Sequence, residues 1–420
     1  MSDVRTAPTT GSTPLIVHSH LRWDYVWQRP QQLLSRFART RAVLFVEEPV
    51  FVDDAAAAGF DLTSPSPGVH RVVPRLPERL RASSFEAAVA VRSLLRQMMS
   101  NASALAGMFD HPVQWFYTPL PAPVMVGAFN ERGVVYDCMD ELSQFRFAPP
   151  ELVQCERFLL DRADVVFTGG RHLFESKSRH HANVHFFGCG VDAAHFARAL
   201  CDDTPIAPEL RNLPRPVLGY FGVIDERLDY RLVARLAEHF ANGSVVLVGP
   251  TAKVDPSELP QRENLHWLGQ RSYAKLPEYV KGFDVCLMPF ALNDATQYIN
   301  PTKTLEYMAA GRPIVSTAVP DVVRHFTPIV HVAYTTAVFL DAIESSLTPD
   351  PARIAAGRSR AQAATWESIV AAMDELIVQA TGAHRGSLDA RPHIAVPKRP
   401  ASGIASTRRN GAENDGAIAL

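Results

Sequence analysis

Three short stretches of this chain combine charge, helix signals and strand ends in ways that can do chemistry. The first is NPTKTLEYMAAG, residues 300–311. Asn300 or Thr302 can cap a helix here, and Pro301 stands where a missing N–H costs nothing. The helix start then offers free backbone donors and partial positive charge beside Lys303, a suitable reception for a diphosphate. Glu306 follows one turn later on the face shared with Thr302 and Lys303, within reach of vicinal hydroxyls such as those of a ribose. The plainer alternative is a capped surface helix carrying an i,i+3 Lys–Glu pair.

The second stretch is VVYDCMDELSQF, residues 134–145. Asp137 closes an apolar run and so belongs at a strand's carboxyl end, where it can orient hydroxyls or accept a proton as general base. Asp140 and Glu141 stand one turn on and can serve instead; a cluster of helix caps is the structural alternative. The third is HSHLRWDYVWQRPQQLLSRFA, residues 18–38. His18, His20 and Asp24 can meet hydroxyls, and Arg29 can fork onto an acceptor phosphate. Alternatively Trp23, Tyr25 and Trp27 pack the loop while Asp24 and Arg29 pair with each other.

The surrounding pattern says what must position these residues. Buried-type strands are expected at 14–20, 42–49, 69–74, 112–119, 133–139 and 163–169, with helical stretches between them. After the linker RNLPRP, residues 211–216, the alternation restarts with strands at 216–222, 244–249, 264–269, 284–290 and 312–317. Apolar strands alternating with helices imply parallel sheets covered on both faces. Two such series imply two doubly wound domains, which bind ligands at the carboxyl ends of their strands. All three stretches lie at such ends. No G-x-G-x-x-G follows a strand and no G-x-x-x-x-G-K-[ST] occurs, which removes the main support for dinucleotide and P-loop readings.

Composition narrows the function. A 420-residue chain with 42 Lys plus Arg against 44 Asp plus Glu has a net charge of −2, which makes no electrostatic case for nucleic acid. The five cysteines, Cys138, Cys155, Cys189, Cys201 and Cys286, form no C-x-x-C pair and read as reduced thiols of a cytoplasmic protein. The first residues lack a signal-peptide core, and no run of about 18 apolar residues exists. Lipid contact is therefore expected only at the periphery of the inner membrane face. The 85–102 helix, with Arg92 and Arg96, is a candidate for it, although such a helix can simply pack on a core. Residues 384–420 lose all periodicity and are expected to be disordered, with basic residues too sparse for a binding site.

The run NPTKTLEYMAAGRPIVST resembles the donor-site helix of GT-B glycosyltransferases, especially the group called family four, whose typical form is P-x-K-x-x-E-Y-x-A-x-G-x-P-V-V. Four further stretches are similar to that family in the same order: VVFTGGRHLFESK, GCGVDAAHF, GYFGVIDERLD and LGQRSYAKLPEYVKGFDVCLMPF. Together they cover most of residues 130–370. The 18–38 stretch resembles the first strand–loop–helix of bacterial transferases of cell-surface polysaccharide assembly. The resemblance implies a GT-B fold of two Rossmann-like domains, with Gly222, Arg227, Asn300, Thr302, Lys303 and Glu306 on the sugar-nucleotide. It places Asp137 where the family usually has a histidine near the donor sugar. The sequence also departs from the family. Of two glutamates usual in this region, Glu306 fits the second, but Tyr298 stands at the first. Val223 and Asp229 stand where members carry the Arg and Lys of the diphosphate site.

The expected organisation is a disordered 1–13, an acceptor-side domain over 14–212, a donor domain over 213–365, a helix crossing back over 366–383, and the tail. The expected reaction moves a sugar from a nucleoside-diphosphate sugar to a hydroxyl of a surface polysaccharide or lipid-linked saccharide. Asp137 or Asp140 would be catalytic, and His20, Asp24 and Arg29 would face the acceptor. No cofactor and no metal are expected, since Lys303 and a helix terminus supply charge. The alternatives are a nucleotide-sugar 2-epimerase of the same fold and a non-catalytic nucleotide-sugar-binding protein of an assembly complex.

Overall fold

The computed structural model describes residues 12–100, 105–145 and 147–383. The expectations for residues 1–11 and for the tail from 384 lie outside the described residues.

Nine strands build a first sheet: β1 Leu15–Ser19, β2 Val43–Glu47, β3 Val50–Val52, β4 Gly59–Ser66, β5 Val69–Pro77, β6 Val113–Phe116, β7 Gly133–Cys138, β8 Val165–Thr168 and β9 Val184–Phe186. Their order is β3-β5-β2-β1-β6-β7-β8-β9, with β4 antiparallel on β5 and all other pairs parallel. Six more build a second, wholly parallel sheet: β10 Val217–Phe221, β11 Ser244–Val248, β12 Leu265–Trp267, β13 Val285–Met288, β14 Ile314–Thr317 and β15 His331–Ala333. Its order is β12-β11-β10-β13-β14-β15. The central strands are apolar because helices cover both their faces: LIVHS, VLFVE, VLGYF and SVVLV are buried at every residue.

Four strands carry no comparable signal. β3, β9 and β15 have three residues each, too few for a period to show. β4, GFDLTSPS, is mostly exposed and lies antiparallel at the rim, where polar residues and a proline are tolerated.

In each sheet the chain reverses direction beside its first strand, between β1 and β6 and between β10 and β13. These reversals open crevices beyond the strand ends. The helix Trp366–Ala383 then crosses to the first domain. Trp366, Met373 and Ile377 are buried in that domain's core with Leu33, Phe37, Val135 and Phe167. Each side chain so buried contributes roughly 1.5–3 kcal/mol. Arg36–Glu367 at 2.8 Å and Arg41–Asp374 at 2.6 Å flank the apolar seam.

The helix Ser84–Ser100 turns Ala87, Ala88, Val91, Leu95 and Met98 into the first core. Arg92 and Arg96 donate to the Val124 and Ala128 carbonyls. The apolar side proposed for a membrane surface is therefore already used inside the protein. Among the described residues no helix is long and apolar enough to cross a membrane.

Candidate active-site cleft

The donor half begins at the end of β10. Gly222 has φ 142°, and a Cβ there would lie 2.9 Å from Lys303 Cε and 2.8 Å from the Tyr220 hydroxyl. Gly249, at the end of β11, has φ 155°, and its Cβ would lie 1.8 Å from the Gly222 carbonyl. Only glycine permits both backbones to approach so closely. The space so gained receives the Lys303 side chain. Its ammonium rests 5.3 Å from the Tyr220 ring centre and 5.2 Å from that of Phe290.

Lys303 opens the helix Lys303–Ala309, and Glu306 lies in its first turn. Neither side chain makes a hydrogen bond or ion pair among the described residues. Burial lowers the Lys303 pKa to about 8, with Arg227 adding to the effect and Glu306 opposing it. Burial raises that of Glu306 to about 7, against the pull of Lys303. A lysine and a glutamate in the same helical turn, both desolvated by burial and neither satisfied among the described residues, form an open pair. It can accept a phosphate at one end and hydroxyls at the other. Capping differs from expectation. Thr302 is already helical and makes no side-chain cap. Instead its hydroxyl donates to the Cys189 sulfur at 3.1 Å, and the Cys189 thiol donates to the Asn300 carbonyl at 3.1 Å. Asn300 and Thr302 thus join the two domains, while the Asn300 side-chain carbonyl is buried without a partner.

Arg227 is committed elsewhere. It forks onto Asp225, with contacts of 3.0, 3.0 and 2.6 Å. Burial works against the charge of Asp225, yet Arg227 outweighs it and holds the carboxylate below its ordinary value. Arg227 is therefore a charge-paired neighbour of Lys303, held through Nε and Nη2, with Nη1 outside that pair. Asp229, at the position of the family's lysine, caps the helix Tyr230–His239 by accepting from the Leu232 amide at 2.9 Å.

The first domain faces this from across the cleft. Arg29 and Asp137 form a bidentate pair, with Arg29 Nη2 to Asp137 Oδ1 at 2.9 Å and Nε to Oδ2 at 3.1 Å. Asp137 is 0% exposed and Arg29 4%. Arg29 Nη1 also donates to the Phe187 carbonyl at 2.9 Å. Both oxygens of Asp137 are spent on this arginine, which moves the general-base proposal away from it. Arg29 for its part keeps one further N–H on each of Nη1 and Nη2, but its side chain is almost wholly buried. Asp24 is exposed and pairs with Arg71, which also meets Glu47 at 2.9 Å. It is exposed rather than on the cleft floor, and the alternative of an Asp24–Arg29 pair is not what forms, since Arg29 is paired with Asp137.

Asp140 is left with its carboxylate in no ion pair among the described residues. Burial pushes its pKa up to about 6, against Arg227, Lys253 and Arg29 and with the help of Asp225. A carboxylate titrating near neutrality among cations from both domains suits proton transfer. Glu141 is taken by Lys177, at 2.7 Å, and Lys177 also meets Glu156. This buried triad anchors the loop that carries Asp140. His18 is buried against Gln114 at 2.9 Å and stacks on Phe116. His20 is buried too, with its Nδ1 unpartnered. Burial lowers both imidazoles to about 4, which keeps them neutral at physiological pH.

Two further charged residues of the cleft carry no motif in the chain. Lys253, in the loop after β11, reaches from the donor half to the Phe145 ring of the first domain, 5.0 Å from its centre, and its charge acts on His20, Glu48 and Asp140. Glu48, just past β2, is raised to about 8 by burial, against Arg22 and Lys253. Both stand at carboxyl ends of strands, which was the available signal, but neither lies in a recurring pattern. Among the described residues no group of three or more His, Cys, Asp or Glu is arranged to hold a metal ion.

Residues 215–348 match the family described as glycosyl transferases group 1. A Bacillus subtilis protein named as a teichuronic acid biosynthesis glycosyltransferase, TuaH, is 26% identical over 234 residues, covering 51% of this chain and 58% of that one. The match thus spans little more than half the length of this relative. Among solved structures, sucrose-phosphate synthase from Thermosynechococcus elongatus superposes with a TM-score of 0.66 at 18% identity, over 89% of this chain and 100% of that one. HepE of Anabaena, in complex with UDP and glucose, gives 0.61 at 12% identity, over 88% and 100%. The fold is GT-B, and its second domain carries the group 1 glycosyltransferase signature.

Proposed function

We propose that this chain, a group 1 glycosyltransferase of the GT-B fold, moves a sugar from a nucleoside-diphosphate sugar to a hydroxyl of a surface-polysaccharide or lipid-linked saccharide. The observation that carries this is the open Lys303–Glu306 pair beside Gly222, a cation and a hydroxyl acceptor at the strand ends of the donor domain. Lys303 meets the diphosphate and stabilises the charge that grows on it as the glycosidic bond breaks. Glu306 holds the ribose hydroxyls. Asp140 receives the proton of the acceptor hydroxyl, or orients the donor sugar if the leaving phosphate takes that proton. Arg29–Asp137 keeps the Asp140 loop and the 18–38 loop in register. No step needs a metal in this scheme. The nucleotide-bound HepE structure supports the donor class, and the polysaccharide acceptor follows the similarity to TuaH.

The test is a screen of UDP-, GDP-, CDP- and dTDP-sugars by thermal shift, followed by NMR of the stabilising donor with and without acceptor extracts. A donor at about 100 times its dissociation constant stabilises by roughly 2.7 kcal/mol. Acceptor-dependent release of nucleoside diphosphate is expected. Donor conversion without any acceptor would establish an epimerase instead. Binding without turnover across all acceptor pools would leave a nucleotide-sugar-binding protein.

A further inference from the structure

The floor of the first domain holds buried polar atoms that the protein itself does not satisfy. His20 Nδ1, past the end of β1, and Thr118 Oγ1, past the end of β6, are buried and have no partner among the described residues. These strands are neighbours, and the Tyr117 amide donates to the His18 carbonyl at 2.9 Å, so both atoms belong to one crevice. Leaving buried polar atoms unpaired is costly, and two of them on adjacent strand ends can serve a polar ligand, beside the hydrogen bond that the His20 ring makes to the Tyr117 backbone.

A third such atom comes from the opposite domain. Lys253 Nζ is buried without a hydrogen-bond or ion-pair partner among the described residues, 5.0 Å from the centre of the Phe145 ring. Its backbone has φ 56°, a left-handed conformation uncommon for lysine. The loop is pinned there by the Ile224–Thr251 bridge and by the Ala252 amide on the Ile224 carbonyl at 2.9 Å. The Lys253 ammonium bears on His20 and Glu48 of the first domain. Lys303 bears instead on Glu306, and the neutralised Arg227–Asp225 pair is the neighbour that both lysines share. The cleft therefore holds two unsatisfied ammonium groups, one on the nucleotide side and one over the first domain's floor.

We propose that Lys253 receives an anionic oxygen group on the acceptor sugar, a carboxylate or a phosphate monoester, above the floor made by His20 and Thr118. This rests on the transferase reading above. Glu226, Asp225 and Glu48 act on this ammonium from a distance, but none pairs with it among the described residues, so its N–H groups stay open to an anionic oxygen beside the aromatic face of Phe145. His20 and Thr118 supply a neutral imidazole and a hydroxyl for the sugar's own hydroxyls. Because Lys253 belongs to the donor half, a charged acceptor draws the two halves together, and a neutral one does not.

The experiment saturates the protein with whichever of UDP, GDP, CDP or dTDP binds and titrates glucuronate, glucose 6-phosphate and glucose by calorimetry. At least one anion is expected to bind tenfold or more tighter than glucose, and the responding sugar tells carboxylate from phosphate. Lys253→Ala should abolish the preference and Lys253→Arg should keep most of it, both with unchanged melting temperature. Nucleotide affinity in Lys253→Ala should stay within about threefold of the parent, against the larger loss expected for Lys303→Ala. The proposal is overturned by the absence of any anion preference, by a preference that survives Lys253→Ala, or by a nucleotide loss matching that of Lys303→Ala. If none of UDP, GDP, CDP and dTDP binds the unaltered protein, the donor-site reading fails and this inference with it. Nucleotide binding without anion preference removes the inference alone.

Discussion

Two pairs of opposite charge face each other across this cleft, and they are built in opposite ways. Arg29–Asp137 is closed: three contacts of 3.2 Å or less, a further bond to Phe187, and almost no exposure. Lys303–Glu306 is open: the two groups influence each other's titration but form no ion pair. A buried pair recovers its desolvation cost only when its geometry satisfies both partners. Arg29–Asp137 meets that condition and acts as a strut. Lys303–Glu306 does not, and its unmet capacity is what a ligand can use. Residue type alone would assign both pairs to binding; the geometry separates them.

The comparison can be broken most sharply at Asp140, whose carboxylate feels charges from both halves, Arg29 and Arg227 among them. Asp140→Asn is expected to lower turnover by roughly 10²–10⁴-fold with nucleoside-diphosphate affinity held. In the parent, turnover should rise with pH through about 6, as the carboxylate loses its proton, and this limb should vanish in the variant. Retained turnover would return the proton to the donor phosphate.

Asp137→Asn should act on stability instead. It leaves Arg29 buried without its counter-charge, at a cost of about 3–5 kcal/mol in denaturant unfolding. A variant of parental stability and greatly reduced turnover would restore Asp137 as the catalytic carboxylate.

The open pair should show the reverse, with affinity lost and stability kept. A hydrogen bond to a charged group contributes roughly 1.5–3 kcal/mol, so Lys303→Ala should weaken nucleoside-diphosphate binding by roughly 10- to 100-fold. The bare nucleoside should be little affected. Glu306→Ala should weaken both ligands alike, because both carry the ribose. Calorimetry on the four combinations decides it, and unchanged binding throughout would remove the donor-site assignment.

A smaller effect is expected from pH. Lys303, lowered to about 8, is charged below that value and neutral above it. Diphosphate affinity should therefore fall as pH rises through about 8, by at most about tenfold per unit. Lys303→Arg, which stays charged, should flatten the slope. A parent whose affinity is flat from pH 7 to 9 would place the phosphates elsewhere.

The least effect is expected at the rim. Asp24 is exposed on Arg71, and exposed pairs contribute about 0–1 kcal/mol. Asp24→Ala should change neither melting temperature nor acceptor KM appreciably. A marked rise in KM would bring the 18–38 loop back into the acceptor site.

Much of this molecule was legible in the chain itself, for local reasons. Apolar runs such as VLGYF and SVVLV declare buried parallel strands because burial on both faces leaves no room for alternation. NPTKTLEYMAAG carried its helix and the shared face of Lys303 and Glu306, since both lie within a few residues of one another. The short strands β3, β9 and β15 were silent because three residues hold no period. What only the tertiary structure decided was which charges are spent. Arg29 and Asp137 are 108 residues apart, and their pairing arises from parallel strands that bring distant chain ends to one edge. Thr302 looks like a helix cap in sequence, yet its hydroxyl goes to Cys189, 113 residues away. Lys253 shows no motif, and it enters the cleft because the β11 loop folds across to the other domain. A charge pattern in the chain states which groups are available; their long-range partners, set by packing, state which remain free to bind.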